Sequence, residues 1–392
     1  MNTQHSSKIE HRSTRISIIL LTAISMVLLL PACTRQPQPA RVEEITFQSG
    51  EFTLVGDLRT PTGKGPFPVV LFVHGDAPAD RTLFGWYLPI MERMLRAGYA
   101  VFSWDNPGVG ESTGTTNRAQ IIKQQAQILL DAIEVMKAHP SEIDPRRIGL
   151  WGVSMASYVM PLALSQSQDI AFMICVSCAG ISGDGQMAFL IISQTICDGV
   201  PVEKGAELSR LLAELDTARK FETYDEYLHY REVLDALAGI GSPTPDLTGL
   251  GTVTELGWRL NDPEVQDWWN PIRVIEQTKI PILVINGDKD TILDPVQGAY
   301  AWKAALEKAG NSKFRVELLP GLNHYMAATE STCLKDHMKT FKQVLQDQGY
   351  GSVDDPFALL SKKPIKHTPL SAFPYAPVYL DLLEEWLREL HG

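Results

Sequence analysis

The pattern of hydrophobic and polar residues predicts strands and helices that alternate along most of the chain. A two-residue alternation in VEEITF and FTLVGDLRT, on either side of Gly50, indicates an opening hairpin. Short apolar runs typical of buried strands follow at 68–75, 100–105, 147–154 and 170–180. Helix-length segments separate them at 83–97, 119–138 and 155–164. This alternation predicts a parallel sheet that is covered by helices on both faces.

The alternation stops between residues 181 and 270. This stretch contains several helical patterns, such as VEKGAELSRLLAELDTARKF, and no convincing parallel strand. Strand-type runs then resume at 280–290 and 314–324, with a helix between them at 296–309 and a last helix in VYLDLLEEWLREL. We therefore expect an α/β core in two parts, 42–180 and 271–392, interrupted by a helical cap at 181–270.

A serine follows the third of the buried runs. Gly152-Val153-Ser154-Met155-Ala156 ends the predicted strand and opens the next helix. Small residues around a serine at such a junction are typical of a nucleophile elbow, a strained turn that lifts the hydroxyl above the sheet. The N-terminus of the following helix directs partial positive charge toward the site. We therefore predict that Ser154 is a nucleophile, with Ala156 in the place that a second glycine usually takes.

Five stretches of the chain resemble the α/β-hydrolase superfamily, in its branch of serine esterases and of aminopeptidase-like and prolyl-oligopeptidase-like hydrolases. They are PFPVVLFVHG, SWDNPGVGESTG, IDPRRIGLWGVSMA, IPILVINGDKDTILDP and LLPGLNH. The resemblance runs from about Val42 to the end of the chain and is loose in the insertion. It implies an α/β-hydrolase fold, a mostly parallel, doubly wound sheet with a helical cap inserted late in the sheet. It also implies that Asp105 to Ser112, in the pattern D-x-x-G-x-G-x-S, shape the edge of the pocket.

The two late strands predict the acid and the base of a catalytic triad. A serine needs a base to accept its proton, and a carboxylate must hold that base in the right tautomer. In α/β-hydrolases the chain order is serine, acid, histidine. Asp290 closes the turn after the strand at 280–290, and His324 follows the next strand. Asp288 and Asp294 remain alternatives for the acid, with a turn-capping carboxylate and a helix N-cap as their structural interpretations.

Two backbone amides are predicted to form an oxyanion hole. Acyl transfer develops negative charge on an oxygen atom, which N–H groups near the nucleophile must stabilise. The amide of Met155, directly after the serine, is one candidate, and the amide of Asp76, directly after Gly75, is the other. We expect the Asp76 carboxylate to point away from the site, and His74 to shape the loop rather than take part in the chemistry.

Residues 1–32 predict a secretory signal. A basic start precedes a mostly apolar run from Ile16 to Leu30, which is too short to span a bilayer comfortably. The run ends in Leu-Pro-Ala-Cys, which resembles the lipobox of bacterial lipoproteins and implies acylation of Cys33 after cleavage. This predicts an extracytoplasmic protein that is lipid-anchored to a bacterial membrane, at the cell surface or facing the periplasm, with residues 33–41 as a tether. A plain cleaved signal or an uncleaved anchor helix is the alternative.

Composition and charge narrow the classes of partner. The 392 residues carry a formal net charge of −11, and residues 181–270 alone contain sixteen acidic and six basic side chains. Nucleic acid is therefore not an expected partner. Carboxylates that face a pocket would repel polyanionic substrates or recognise a free amine, whereas a solvated acidic surface is the structural interpretation. No metal-ligand cluster or phosphate-binding glycine loop is recognisable, so we predict no cofactor and no metal.

Besides Cys33, the chain contains four more cysteines. Cys175 and Cys178 belong to an apolar, strand-like run, which indicates packing in the core rather than a metal or redox site. Cys197 and Cys333 are able to pair in an oxidising compartment, and the sequence alone leaves that pairing open.

Three functions are compatible with these residues. The first is a hydrolase that cleaves a carboxylic ester through a covalent acyl-enzyme intermediate. The second is a peptidase or amidase with the same triad, because ester and amide cleavage use the same catalytic groups. The third is an inactive hydrolase scaffold that serves as a surface binding protein. The set of Ser154, Asp290 and His324 favours an enzyme that acts on a small-molecule ester or amide.

Overall fold

The computed structural model describes the chain in residues 41–76, 79–117, 120–180, 183–218, 224–240, 270–333 and 373–391, and at scattered positions between 335 and 346. The predicted signal segment, Cys33 and the predicted tether up to residue 40 lie outside these ranges. So does the part of the insertion from 241 to 269.

Eight strands form one mixed sheet. In chain order they are β1 Arg41–Ser49, β2 Phe52–Thr60, β3 Phe67–Val73, β4 Ala100–Trp104, β5 Ile143–Val153, β6 Ile170–Val176, β7 Ile282–Gly287 and β8 Phe314–Leu319. Across the sheet the order is β1-β2-β4-β3-β5-β6-β7-β8. β2 runs antiparallel to both of its neighbours, and every other pair is parallel. The predicted α/β class, with an opening hairpin and a mostly parallel sheet, is confirmed.

Helices flank this sheet. They are α1 Leu88–Arg96, α2 Ile121–Lys137, α3 Ala156–Leu164, α4 Gly183–Cys197, α5 Gly205–Ala218, α6 Tyr224–Gly239, α7 Ile272–Ile275, α8 Pro295–Lys308 and α9 Pro377–His391, with a 3-10 turn at Val202–Lys204. The helices α4, α5 and α6 lie between β6 and β7 along the chain, where the sequence predicts the inserted cap. None of the helices in the described ranges is long and apolar enough to cross a membrane.

Both faces of the sheet are buried, and β3 shows why its sequence is continuously apolar. Val69, Leu71 and Val73 join the core that packs against α2 and α3. The alternate residues Val70 and Phe72 join the opposite core, which includes α1 and α9. All five side chains are at most 2% exposed. Each contributes about 1.5–3 kcal/mol of burial free energy, which explains the unbroken hydrophobic runs.

The first helix starts later than predicted. The pattern indicates a helix from residue 83, but α1 begins at Leu88. Residues 83–85 have positive φ angles between 46° and 94°, which a right-handed helix cannot contain. The Asp80 carboxylate holds this turn by accepting hydrogen bonds from the amides of Thr82 and Phe84, both at 2.8 Å. Backbone handedness of this kind leaves no trace in the spacing of hydrophobic residues.

Candidate active site

Ser154 lies in a strained turn between β5 and α3. Its φ angle is 60°, in the left-handed region that residues other than glycine seldom adopt. Such a conformation costs about 1–3 kcal/mol and persists where the surrounding structure fixes it. The Ser154 amide donates to the carbonyl oxygen of Val176 on the neighbouring strand at 3.0 Å. The side chain is only partly buried, so it is open to a substrate.

Ala156, the departure from the usual elbow pattern, is accommodated by Gly152. Ala156 is fully buried. A Cβ atom added to Gly152 would lie 2.5 Å from the Ala156 methyl carbon and 2.9 Å from the sulfur of Met160. Because Gly152 has no side chain, the methyl group fits without displacing the turn. The elbow therefore needs glycine before the serine and tolerates alanine after it.

Asp290 and His324 form a buried acid–base pair at the carboxyl edge of the sheet. His324 Nδ1 lies 2.7 Å from Asp290 Oδ2, and the two residues are only 4% and 3% exposed. The other carboxylate oxygen accepts hydrogen bonds from the amides of Ile292 at 2.8 Å and Leu293 at 3.0 Å. A carboxylate only accepts hydrogen bonds, so His324 Nδ1 carries a proton, and in the neutral imidazole Nε2 is then a proton acceptor.

The alternative acids have structural roles. Asp288 Oδ1 accepts a hydrogen bond from the amide of Gly321 at 2.7 Å, which ties the turn after β7 to the loop after β8. Asp294 caps α8 and accepts from the amides of Val296 and Gln297 at 3.1 and 3.0 Å. These contacts are the turn cap and the N-cap that the sequence offers as structural interpretations.

The loop after β3 lies against the nucleophile turn. A Cβ atom on Gly75 would be 3.5 Å from Ser154 Cβ and 3.3 Å from the carbonyl oxygen of Val153, which places the next residue, Asp76, beside the turn. Asp76 is exposed to solvent. Met155 is buried, and its amide takes part in none of the hydrogen bonds among the described residues.

His74 shapes this loop from within the core. Its Nε2 lies 2.7 Å from the carbonyl oxygen of Trp104, and its ring stacks on Tyr87 with centroids 5.7 Å apart. Burial lowers the pKa of His74 below the ordinary value of a histidine. The neutral ring therefore donates through Nε2 to a backbone carbonyl, which is a structural contact rather than a catalytic one.

Ser154 and His324 share an edge of the sheet without a direct hydrogen bond. β5 and β7, which precede Ser154 and Asp290, are separated only by β6. In the described part of the chain no hydrogen bond joins the Ser154 hydroxyl to the imidazole. Catalytic hydrogen bonds are often long before substrate binds and tighten in the Michaelis complex, so the lack of this hydrogen bond is compatible with a catalytic pair.

Arg81 is a residue of the site region that the sequence interpretation missed. It is 8% exposed, and its guanidinium donates to Asp57 at 2.8 Å and to Asp105 Oδ2 at 3.0 Å. At its exposed side it reaches Glu44 at 3.0 Å and Glu111 at 2.5 Å. Burial alone would lower the pKa of Arg81, but the hydrogen bonds and charges of Asp105 and Asp57 outweigh it and raise the pKa.

The D-x-x-G-x-G-x-S segment folds around the carboxylate of Asp105. Asp105 Oδ1 accepts from the Arg81 amide at 2.7 Å, and Oδ2 accepts from the Glu111 amide at 2.9 Å. Ser112 donates its hydroxyl to the Asp105 carbonyl oxygen at 2.8 Å. The glycine pattern pointed to Asp105, but no local spacing identifies Arg81 as its partner. The segment thus anchors the chain that follows the Gly75 loop.

Four cysteines form two disulfide bonds. Cys175 is bonded to Cys178, in place of the unbonded packing that the sequence indicated, although both are fully buried as expected. Cys197, at the end of α4, is bonded to Cys333, in the segment that follows the His324 loop. Among the residues that the structure describes, no group of three or more histidine, cysteine or acidic side chains is placed to hold a metal ion.

Comparison with known proteins identifies a family. A sequence profile described as the alpha/beta hydrolase family matches residues 70–331, about two thirds of the chain. The chain is 29% identical over 116 residues to the thiohydrolase aneE of Aspergillus aculeatus, and 26% identical over 121 residues to the uncharacterized protein YfhR of Escherichia coli. These alignments cover 29% and 30% of this chain and only 35% and 40% of the two relatives.

Solved structures that are similar to the chain have low sequence identity to it. The acylaminoacyl peptidase of Pyrococcus horikoshii is 16% identical with a TM-score of 0.45, over 83% of this chain and 42% of that one. The esterase Pf2001 of Pyrococcus furiosus is 15% identical with a TM-score of 0.46, over 79% of this chain and 90% of that one.

Proposed function

The chain belongs to the alpha/beta hydrolase family, and from that premise we propose that it is a serine hydrolase that cleaves a carboxylic ester. The observation that carries the proposal is the buried contact of 2.7 Å between His324 Nδ1 and Asp290 Oδ2. It lies at the same sheet edge as Ser154, which is held in a left-handed turn. A strained serine, a base and an oriented acid are the three parts that nucleophilic acyl transfer requires.

Acylation uses these groups in sequence. Ser154 Oγ attacks the ester carbonyl carbon while His324 Nε2 takes the hydroxyl proton. The carbonyl oxygen becomes an oxyanion, for which the amides of Met155 and Asp76 are the proposed donors. The protonated imidazole then gives its proton to the leaving alkoxide oxygen. The carbon–oxygen ester bond breaks, the alcohol departs, and the acyl group stays on Ser154.

Deacylation repeats the steps with water. His324 Nε2 accepts a proton from water, whose oxygen attacks the acyl carbon. The proton then returns to Ser154 Oγ as the acid is released, which restores the starting state. Asp290 is not itself protonated. It orients the imidazole through Nδ1 and stabilises the imidazolium that forms twice in the cycle.

Covalent labelling with a fluorophosphonate tests this proposal. We expect the wild type to be labelled at one site and Ser154→Ala to be unlabelled. Ser165→Ala is a matched control, because Ser165 is an exposed serine whose hydroxyl bonds only to the Leu162 carbonyl oxygen; it should be labelled like the wild type. Absence of label on the wild type, or equal labelling of Ser154→Ala, would falsify the serine mechanism and favour an inactive scaffold.

A substrate panel separates an esterase from a peptidase or amidase. Esters have the better leaving group, and the same triad cleaves both bonds, so only relative rates discriminate. We expect kcat/KM on nitrophenyl esters to exceed that on aminoacyl anilides of the same acyl group. The reverse order would assign the protein to the peptidases and amidases while leaving the triad intact.

We further propose an extracytoplasmic protein, lipid-anchored through Cys33 to a bacterial membrane. The basic and apolar start of the chain and its Leu-Pro-Ala-Cys sequence support this proposal. The disulfide bond between Cys197 and Cys333 agrees with it, because such bonds persist in oxidising compartments. Cys33→Ser should abolish incorporation of labelled fatty acid and release the protein from membranes. Persistence of the label in this variant would overturn the anchor.

A further inference from the structure

Ser177 lies at the end of the strand between the nucleophile and the acid. It directly follows β6, and its side chain is 1% exposed. Its φ angle is 50°, so the chain turns sharply here and the strand predicted to reach residue 180 ends at Val176. A left-handed serine in the core is unusual, and such residues concentrate where the surroundings fix a particular geometry.

The turn at Ser177 connects the two reacting side chains. The carbonyl oxygen of Val176 accepts the hydrogen bond from the amide of Ser154 at 3.0 Å. One residue later, the hydroxyl of Ser177 donates to the carbonyl oxygen of His324 at 2.7 Å. The Ser177 amide also donates to Ile285 on β7 at 2.8 Å. Two consecutive residues therefore hold the nucleophile and the base, which have no direct hydrogen bond to each other in the described chain.

The segment after Ser177 is fixed by side chains. The amide of Cys178 donates to Asn286 Oδ1 at 2.9 Å, and the amide of Ala179 donates to Ser157 Oγ at 3.1 Å. The Trp302 indole donates to the Ala179 carbonyl oxygen at 2.7 Å. A buried backbone that is held by several such hydrogen bonds has little freedom to move. The Ser177 hydroxyl thus projects from a rigid support toward the histidine loop.

His324 is consequently held at two points. Asp290 holds the ring at Nδ1, and Ser177 holds the backbone at the carbonyl oxygen. A single hydrogen bond to the ring fixes one atom but permits rotation about it, whereas a second anchor on the backbone fixes the whole residue. Displacements of about 1 Å in catalytic groups lower rates by about 100-fold, so the second anchor bears on catalysis.

We propose that Ser177 is a positioning residue that sets His324 against Ser154. The inference rests on the proposed serine hydrolase function. Ser177 touches neither the substrate nor the reacting atoms, and it acts through the backbone of the base. The competing interpretation is an ordinary buried hydrogen bond that adds only stability.

Two variants distinguish the effect of the Ser177 hydroxyl from that of the left-handed backbone turn. Ser177→Gly removes the hydroxyl and adopts a φ of 50° without strain, whereas Ser177→Ala removes the hydroxyl and keeps the strain. Asn311→Ala is the control for loss of stability alone. Asn311 is 6% exposed, and its side chain holds the carbonyl oxygens of Thr278 and Ile280, before β7 begins and at the opposite edge of the sheet.

We expect both Ser177 variants to lower kcat on a nitrophenyl ester by about 10- to 100-fold, with KM within about twofold of the wild type. The rate of fluorophosphonate labelling should fall by the same factor. The low-field proton resonance of the His324–Asp290 hydrogen bond should shift or broaden. Asn311→Ala should retain kcat per folded molecule and the resonance, even if it unfolds at a lower temperature.

Two results would overturn the proposal: a kcat for Ser177→Gly within twofold of the wild type, or an equal loss in Asn311→Ala. In the first case, a loss confined to Ser177→Ala would assign the effect to backbone strain; the second result would assign it to stability. Failure of the proposed function itself is distinguishable, because the wild type would then not react with the fluorophosphonate at all.

Discussion

The loops on the two sides of Ser154, the histidine loop and the loop after Gly75, are held in place by different kinds of interaction. On the histidine side, Asp290 and His324 are fixed by hydrogen bonds to amides and carbonyl oxygens of nearby loops, including the bond from Ser177. On the loop side, the chain after Gly75 is anchored by Arg81, a buried cation held by carboxylates from β1, β2 and the segment after β4. The first arrangement relies on hydrogen bonds of defined direction, and the second relies on salt bridges between one buried cation and several carboxylates.

This difference fits the proposed roles of the two sides. A base has to present one nitrogen atom along one direction, and hydrogen bonds at defined angles achieve that. A loop that offers a backbone amide needs only a fixed position, which a guanidinium with five donors supplies by joining distant segments. The loop side therefore depends on a full set of charges. Removing one partner leaves the others buried and unpaired.

The largest effect is expected on the histidine side. Asp290→Asn should lower kcat by about 10⁴-fold, because an amide donates toward Nδ1 and favours the wrong tautomer of His324. The asparagine oxygen still accepts from Ile292 and Leu293, so the free energy of unfolding should change little. Steady-state kinetics and denaturant unfolding check the two parts. Activity within tenfold of the wild type would show that Asp290 is not the orienting acid, and Asp288→Asn provides the comparison.

On the loop side the expected effect is on stability. Arg81→Met should lower the free energy of unfolding by about 3–5 kcal/mol, because Asp57 and Asp105 lose their buried counterion. Arg146→Met is the control, since Arg146 pairs with Asp144 but its side chain is 87% exposed. It should change stability by less than about 1 kcal/mol. Urea unfolding of both variants measures these changes. Equal losses in the free energy of unfolding would refute the claim that the buried salt bridges of Arg81 stabilise the fold.

A disulfide bond adds a covalent link on the histidine side of the site. Cys197 and Cys333 are 136 positions apart, so the bond restricts a long loop in the unfolded chain. Cys333→Ser should lower the free energy of unfolding by about 2–5 kcal/mol. Cys197→Ser and the double variant should lose the same amount, because either change removes the whole bond. Losses that add in the double variant would contradict the pairing.

The smallest effect concerns His74 under the loop. Burial, opposed by the Trp104 carbonyl and by Asp80 and Asp105, lowers the pKa of His74 in the folded protein. As pH falls below about 6.5, the unfolded chain binds a proton that the folded protein resists, so stability falls by up to about 1.4 kcal/mol per pH unit. In His74→Gln this contribution should be absent. If the free energies of unfolding of the wild type and His74→Gln change in parallel from pH 8 to 5, this contribution of His74 is refuted.

Much of the fold was predictable because the local sequence determines which residues are buried and where strands and helices alternate. The apolar run of β3 and the hairpin around Gly50 reflect which faces meet the core, and the structure confirms them. Asp290 and His324 follow late strands, and parallel strands bring their carboxyl ends to one edge. Chain order therefore pointed to the pair that the structure places 2.7 Å apart, although Asp288 and Asp294 stayed open as alternatives for the acid.

Other features depend on contacts or handedness that local patterns do not encode. The left-handed turn at 83–85 moves the start of α1, and the turn at Ser177 ends β6, but the spacing of hydrophobic residues does not encode the handedness of the backbone. Arg81 contacts Asp57 and Asp105, which lie 24 positions before it and 24 positions after it in the sequence. Such pairs become recognisable only when the sheet has brought their strands together.

Direct detection of the acyl-enzyme tests the central claim most sharply. Wild type and Ser154→Ala would be mixed with a nitrophenyl ester, quenched in acid within the first turnover, digested, and analysed by mass spectrometry. A serine hydrolase mechanism predicts the mass of the acyl group on the Ser154 peptide of the wild type and none on that of the variant. Acylation of a different residue, or turnover by Ser154→Ala at the wild-type rate, would contradict it.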